Sequence, residues 1–234
     1  MMRWLVLRFK APLASFGGVT IDSRGVTRDF PAASAITGLL ANALGYARYE
    51  TDRLERLQAR LVFGARRDSE HSLGRMTDFQ TAKLEANDKG WTTYGRVEGR
   101  AGGASTYDSP HIRWRDYHAD TDMTVVLCLS PTEEAPDLDA IAAALDRPAR
   151  PLFFGRKSCL PAGYLLRGDA GRWVDADDAH AALTAVAGRG EMPALWPAAS
   201  GEGRAIADRR NWRSGLHGGT RRVMEGRMTP VDRS

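Results

Sequence analysis

Hydrophobic and polar positions recur along this chain in distinct registers, and each register predicts an element. Trp4-Leu-Val-Leu-Arg-Phe9 is a compact run of β type and predicts a central first strand. Lys10 to Arg28, punctuated by Pro12, Gly17, Gly18 and Gly25, predicts a long loop, and Phe30-Pro31 ends an extended stretch. Ile36, Leu39, Leu40, Ala43 and Leu44 then share one helical face, with Ser34 as N-cap and Gly45 as stop. A second helix is expected from Asp52 to Arg60, carrying Leu54, Leu57 and Leu61 toward the core. Leu61-Val-Phe63 opens another strand.

From Arg75 to Trp114 the apolar period fades. Gly90, Gly95, Gly99, Gly102 and Gly103 interrupt a stretch rich in Thr, Tyr, Arg and Lys. An insertion of this length is uncommon in a compact domain unless it is functional. Its flanks, Thr77-Asp-Phe-Gln-Thr81 and His111-Ile-Arg-Trp-Arg115, predict two strands of a protruding hairpin. Thr124-Val-Val-Leu-Cys-Leu129 is the clearest strand. A short helix over Asp137 to Leu145 follows, closed by Pro148 and Pro151, and then a strand at Leu152-Phe-Phe154. Past Leu165 the pattern supports one helix, Asp177 to Ala187, and a Pro/Gly-rich loop from Gly188 to Gly203.

This order suits an α+β fold: a ferredoxin-like or RRM-like antiparallel sheet with helices on one face and a β-hairpin thumb at about 75–115. The division expected is a core over 1–165 and a C-terminal region over 166–234 packed on it, ending in a basic tail. Sheets of this kind are frequent RNA platforms.

Composition narrows the reading. With 43% apolar and 26% charged residues in 234, the chain is expected to fold around a real core. No run approaches the length of a membrane span, and Arg3 and Arg8 break up the start, which does not resemble a signal peptide. Cys128 and Cys159 fit two small buried thiols in a cytoplasmic protein better than a disulfide framework. The net charge is +4, but only Lys10, Lys83, Lys89 and Lys157 of 33 basic residues are lysines. Arginine forks grip phosphate and stack on bases as lysine does not. A GC-rich genome gives the same bias, so placement has to decide. The tail from Arg204 carries eight arginines against Asp208, Glu225 and Asp232.

Several chemistries are not indicated. A phosphate-binding loop ending in Gly-Lys-Ser/Thr and a Gly-x-Ser-x-Gly elbow are both missing from the sequence. His71, His111, His118, His180 and His217 lack metal-ligand spacing, so no metal and no cofactor is expected. One enzymatic alternative stands, a metal-independent endoribonuclease using His111, His118, Tyr117 and Lys83 as acid, base and cation around a ribose 2′-hydroxyl.

Blocks spread over residues 2–165 carry a family likeness. They are Leu7-Arg8-Phe9 with Ala11-Pro12-Leu13, Arg28-Asp29-Phe30-Pro31, and Gly38-Leu39-Leu40-Ala41-Asn42-Ala43-Leu44-Gly45. Thr77-Asp78-Phe79-Gln80-Thr81, Trp114-Arg115-Asp116-Tyr117 and Phe154-Gly155-Arg156-Lys157-Ser158-Cys159 continue the series. In this succession they resemble the CRISPR-associated CasD family, whose members hold the 5′ handle of the guide RNA (crRNA) in type I-E Cascade. Beyond residue 165 only Gly218-Gly219 anchors the likeness. The resemblance implies a non-catalytic subunit on an RRM-like core, with crRNA, backbone subunits and the large PAM-reading subunit as partners, and target DNA as part of the complex. A related type I-C branch cuts precursor RNA with Tyr, Lys and His, which keeps the nuclease alternative in view.

The resemblance places Arg115 at a position that contacts the handle, with Arg113 beside it. Trp114 either supports a base or anchors the thumb by core packing, and packing is the reading favoured here. Arg156 and Lys157 follow a strand and a glycine, where phosphate can approach. Arg24 and Arg28 precede the Ser34 helix, whose free N–H groups are expected to bind a phosphate. Gln80, Thr81 and Lys83 lie at the thumb base, within reach of RNA bases. No contact is assigned to the thumb tip around Trp91, Tyr94 and Tyr107.

Overall fold

The structure, a computed structural model, describes residues 1–18, 23–69, 74–83, 85, 88–91, 97–98, 110–168 and 171–232. The hairpin-tip residues Tyr94, Gly95, Gly99, Gly102, Gly103 and Tyr107 lie outside the described residues, as does His71. Strand β1 (Met2–Ala14) is longer than its apolar signal, and β2 (Arg24–Gly25) is a two-residue bridge within the expected loop. Helices α1 (Ala33–Ala43) and α2 (Thr51–Arg60) lead into β3 (Leu61–Arg67). Strand β4 (Gly74–Ala82), the short pair β5 (Gly90–Trp91) and β6 (Val97–Glu98), and the long β7 (His111–Leu129) follow. The remaining elements are α3 (Leu138–Asp146), β8 (Trp173–Ala176), α4 (Ala179–Ala185), β9 (Met192–Pro197), β10 (Arg204–Ile206) and β11 (Arg221–Met228).

The α+β arrangement read from the sequence is present as one open sheet in the order β10-β11-β9-β3-β7-β1-β8, with β2 and β4 attached to β7. Strand β7 organises it. Its second half pairs with β1 and β3, and its first half leaves the core to pair with β4. The thumb strand and the clearest core strand of the sequence are thus one continuous strand. The change of partner from β3 to β4 falls at Asp120, which takes a left-handed φ of 52°. The polar alternation of 111–119 and the solid apolar run of 123–129 report two environments of a single strand.

Both faces of the sheet centre are buried, since successive residues from Met123 to Leu129 of β7 are at most 2% exposed wherever apolar. Helix α4 lies on one face at Gly64, where an added Cβ would come within 3.0 Å of Leu183 and 3.3 Å of Ala179. Helix α1 packs against α2 and α3, and Ile36, Leu40, Phe9, Phe16 and Phe30 belong to one core cluster. No helix among the described residues is long and apolar enough to cross a membrane.

Three local expectations are corrected. Leu152-Phe-Phe154 is a closed loop and not a strand: Phe154 N–H donates to the Cys159 carbonyl, and Gly155 turns with a φ of 89°. The expected loop over 188–203 contains β9, whose prolines disguise it. Pro193 and Pro197 flank Ala194 and Leu195, the part that pairs with β3, so the missing N–H groups fall outside the doubly bonded stretch. Ser34 is not the N-cap of α1. It lies buried inside the first turn, after Ala32 at the cap.

Candidate functional site

The first turn of α1 is already occupied by a carboxylate. Asp208 accepts from Ala33 N–H through Oδ2 at 3.1 Å, and its backbone carbonyl accepts from Ser34 N–H at 3.0 Å. The orphan donors that would otherwise bind an anion are therefore satisfied from the C-terminal region. This corrects the expectation of a free helix terminus for phosphate. Arg28 is drawn the same way, donating to the Ala207 carbonyl at 2.7 Å, and it lines a separate small hollow beside Arg75, Arg204 and Glu225.

Arg115 and Arg156 do come together. They meet over the backbone of Gly25, where a Cβ would stand 2.6 Å from Arg115 Nη1 and 3.0 Å from Arg156 Nη2. Residue 25 must be small for the two guanidinium groups to keep these positions. Arg156 is anchored: it donates to the Asp116 carbonyl at 3.2 Å and the Gly25 carbonyl at 3.1 Å, and lies 4.5 Å from the Tyr117 ring centre. Gly155 sets up this anchor by pressing on the Ser15 carbonyl so closely that any Cβ would overlap it. The Arg115 side chain makes no hydrogen bond or ion pair with any described residue, although it is half-buried.

The two side chains line an open groove of about 490 Å³. Arg48 and Arg210 add two further cations, the partly buried Phe153 and Trp212 supply aromatic surface, and Gly17, Gly18 and Gly38 keep parts of the wall low. Ser34 lines it too, but no described carboxylate does. Four guanidinium groups around one groove focus a positive potential on it.

The sequence reading missed one wall, residues 209–218. Asn211 N–H donates to Leu216 O and Gly218 N–H to Arg209 O, which folds this segment on itself. Gln58 of α2 pins it by donating to Arg210 O at 2.9 Å while accepting from Arg210 N–H at 3.1 Å. His217 enters the groove from this wall. Burial lowers its proton affinity, and the charges of Arg210 and Arg28 lower it further. The cluster Arg210-Asn-Trp212 was visible in the basic tail, but nothing local revealed that it folds back onto α1.

The remaining candidates lie along the ribbon of β4 and β7 or apart from the groove. Gln80 faces Arg113, Phe79 faces Trp114, and Asp78 faces Arg115 across the ladder. Directly paired residues share a face, so Arg113, Arg115 and Gln80 occupy one side, while Trp114, Phe79, Ile112 and Thr81 occupy the other. Trp114 is 42% exposed and meets Phe79 edge-on at 4.7 Å. Its expected core packing is thereby corrected, because it stands exposed on the ribbon between Phe79 of β4 and Arg24 of β2. Gln80 donates to Asp78 at 2.6 Å, and Lys83 and Lys157 are exposed. Arg24, also exposed, approaches Asp116 at 4.0 Å.

The groups named for RNA cleavage are placed differently. His118 is 1% exposed, with Nε2 donating to the Arg28 carbonyl at 2.7 Å and Nδ1 buried without a partner among the described residues. Burial holds its proton affinity below the usual histidine range. Tyr117 is also buried, whereas Lys83 is exposed at the end of β4. Among the described residues no group of three or more His, Cys, Asp or Glu could hold a metal. Cys128 and Cys159 are free and buried, and burial pushes the Cys128 thiol up to about 12.

Known proteins share this fold. The CRISPR system Cascade subunit CasD of Escherichia coli (strain K12) is 26% identical over 166 residues, which are 68% of this chain and 67% of that protein. A chain of a solved CRISPR RNA-guided surveillance complex superposes with a TM-score of 0.70 at 22% identity, over 97% of this chain and 91% of its own. A solved Cas protein gives 0.62 at 24% identity, over 97% of both chains. The family model described as CRISPR-associated protein (Cas_Cas5) matches residues 4–224, from β1 into β11. With the match spanning the sheet, the groove and its C-terminal wall, this chain belongs to the Cas5 family of CRISPR-associated proteins.

Proposed function

We propose that this chain is a non-catalytic, cytoplasmic subunit of a Cascade-type CRISPR surveillance complex, holding the 5′ handle of crRNA in the arginine-lined groove. In this reading it caps the filament of backbone subunits beside the large PAM-reading subunit, and target DNA is read by pairing with the guide. The carrying observation is the groove: four arginines, no described carboxylate, and in Arg115 a guanidinium that no described residue engages. A guanidinium without a partner among the described residues, beside aromatic surface, suits a phosphodiester strand with splayed bases. Along the ribbon, Arg113 and Gln80 on the face of Arg115, and Thr81 and Trp114 on the opposite face, extend the surface together with Lys83, and Lys157 and Arg24 add exposed charge near it. The reading needs no bond-breaking step, and the burial of His118 and Tyr117 supports that.

Titrating the purified chain with single-stranded RNA carrying the handle of its own repeat, in EDTA, tests this. The expected result is salt-sensitive binding with the RNA left intact. Defined cleavage, or binding indifferent to salt, would contradict it.

A further inference from the structure

The groove does not end at Trp212. On the far side of that indole lies a second hollow of about 460 Å³, and the two share Gly38, Asn42, Arg48 and Trp212 as lining. The shared residues form a saddle across α1. A Cβ on Gly38 would stand 3.8 Å from the Trp212 ring, so the glycine keeps the crossing shallow beneath the indole edge.

Beyond the saddle the chemistry of the first groove repeats in part. Arg48 and Arg150 supply cations and Tyr49 an exposed ring, the Tyr46 ring is buried beneath the Arg53 guanidinium, and no described carboxylate lines the space. Arg150 is held at the C-terminal end of α1 by donating to the Tyr46 carbonyl at 2.8 Å and the Gly45 carbonyl at 3.0 Å. The neighbouring acid, Glu50, accepts from Ala47 N–H and Arg53, and these bonds together with the charges of Arg53 and Arg150 lower its proton affinity. Tyr49 is 79% exposed, with no partner among the described residues. A ring held this openly beside two arginines offers a face on which a base can stack, worth several-fold in affinity for a single strand.

We propose that this hollow is a second nucleotide subsite, in which single-stranded RNA leaving the Arg115–Arg156 groove crosses α1 at Gly38 and Asn42. There it stacks a base on Tyr49 and sets phosphate against Arg48 and Arg150. The proposal rests on the groove being the RNA site. It makes Arg48 the joint of the path, since that side chain lines both hollows.

The test is fluorescence anisotropy of the full chain with single-stranded RNAs of about four and about twelve nucleotides, the span of single-strand sites on small folds. The shorter fills one hollow, and the longer spans both. In a Tyr49→Ala/Arg150→Ala variant the longer RNA should lose about tenfold in affinity. Its log–log salt slope should fall by about 0.7 for the phosphate contact removed. The shorter RNA should bind as before, and Tyr49→Phe should retain the full affinity for the longer one. Unchanged binding of the longer RNA in the double variant overturns the second subsite and leaves the first groove standing. Failure of the unaltered chain to bind either length overturns both. Tighter binding of the deoxy twelve-mer than of the RNA overturns the assignment to RNA.

Discussion

Two arginine environments in this molecule differ in everything but the residue type. At the end of α4, Arg66 is 0% exposed, and its guanidinium donates to the carbonyls of Leu183 at 2.6 Å and Val186 at 2.8 Å, and to Asp68 at 2.7 Å. Arg60 does the same for the loop after β7, donating to the carbonyls of Pro131, Glu134 and Pro136. In the groove, Arg115 has no such bonds with described residues, and Arg156 stands between the extremes with two of its donors committed. An abundance of arginine therefore says little by itself. What assigns a role is how many donors the fold has already consumed, because a satisfied buried fork stabilises the chain and an unsatisfied one at a groove is left for a ligand.

The largest expected effect is on the structural side. Arg66→Ala leaves a helix end and a carboxylate without their partner, and should cost about 3–5 kcal/mol. A urea titration with unchanged m-value reads this out, and the fraction that remains folded should bind RNA normally. Arg156→Ala should show both behaviours: about 1–2 kcal/mol of stability for two bonds to carbonyls, together with weaker RNA binding. A variant that altered only one of the two properties would collapse the gradient between the regions.

The third prediction concerns the junction between ribbon and core. Burial lowers the proton affinity of His118 there, so the unfolded chain takes up its proton more readily than the folded one. Stability should therefore rise with pH and be lost as pH falls below the ordinary histidine value of about 6.5. His217 adds to the same trend, its proton affinity being lowered as well. His118→Gln should flatten part of the fall in urea midpoints between about pH 7.5 and about pH 5. A steeper fall in the variant would mean that the ring is charged in the folded state. The smallest effect belongs to Trp114→Ala, which removes one edge-on pair on an open ribbon and should cost less than about 1 kcal/mol. A loss as large as that of Arg66→Ala would restore the core reading of this residue.

Legibility in the sequence followed the range of the interactions. Helices α1 and α2, the core of β1 and the ribbon pairing were readable, because helical period, strand alternation and turn residues act over a few positions. Strand β9 was hidden by Pro193 and Pro197, whose placement makes sense only once β3 and β11 are seen beside it. The N-terminus of α1 looked open because its acceptor, Asp208, lies far along the chain. For the same reason Arg66 and Arg115 were indistinguishable as letters, the partners of Arg66 being 117 and 120 residues away. Arg115 was found through family likeness, and Arg156 through its place after an expected strand and a glycine. Arg210, Trp212 and His217 were missed, since only the Gln58 bonds and the fold of residues 209–218 bring them to the groove.

In this reading Arg115 is reserved for RNA phosphate. The direct measurement is the salt dependence of handle RNA binding by the unaltered chain and by Arg115→Ala, alongside a urea titration of each. The variant should bind about tenfold more weakly, which is about 1.4 kcal/mol, with a slope shallower by about 0.7 and coincident unfolding curves. An unchanged slope, with the loss appearing in the unfolding curve instead, would contradict it and place Arg115 among the structural arginines.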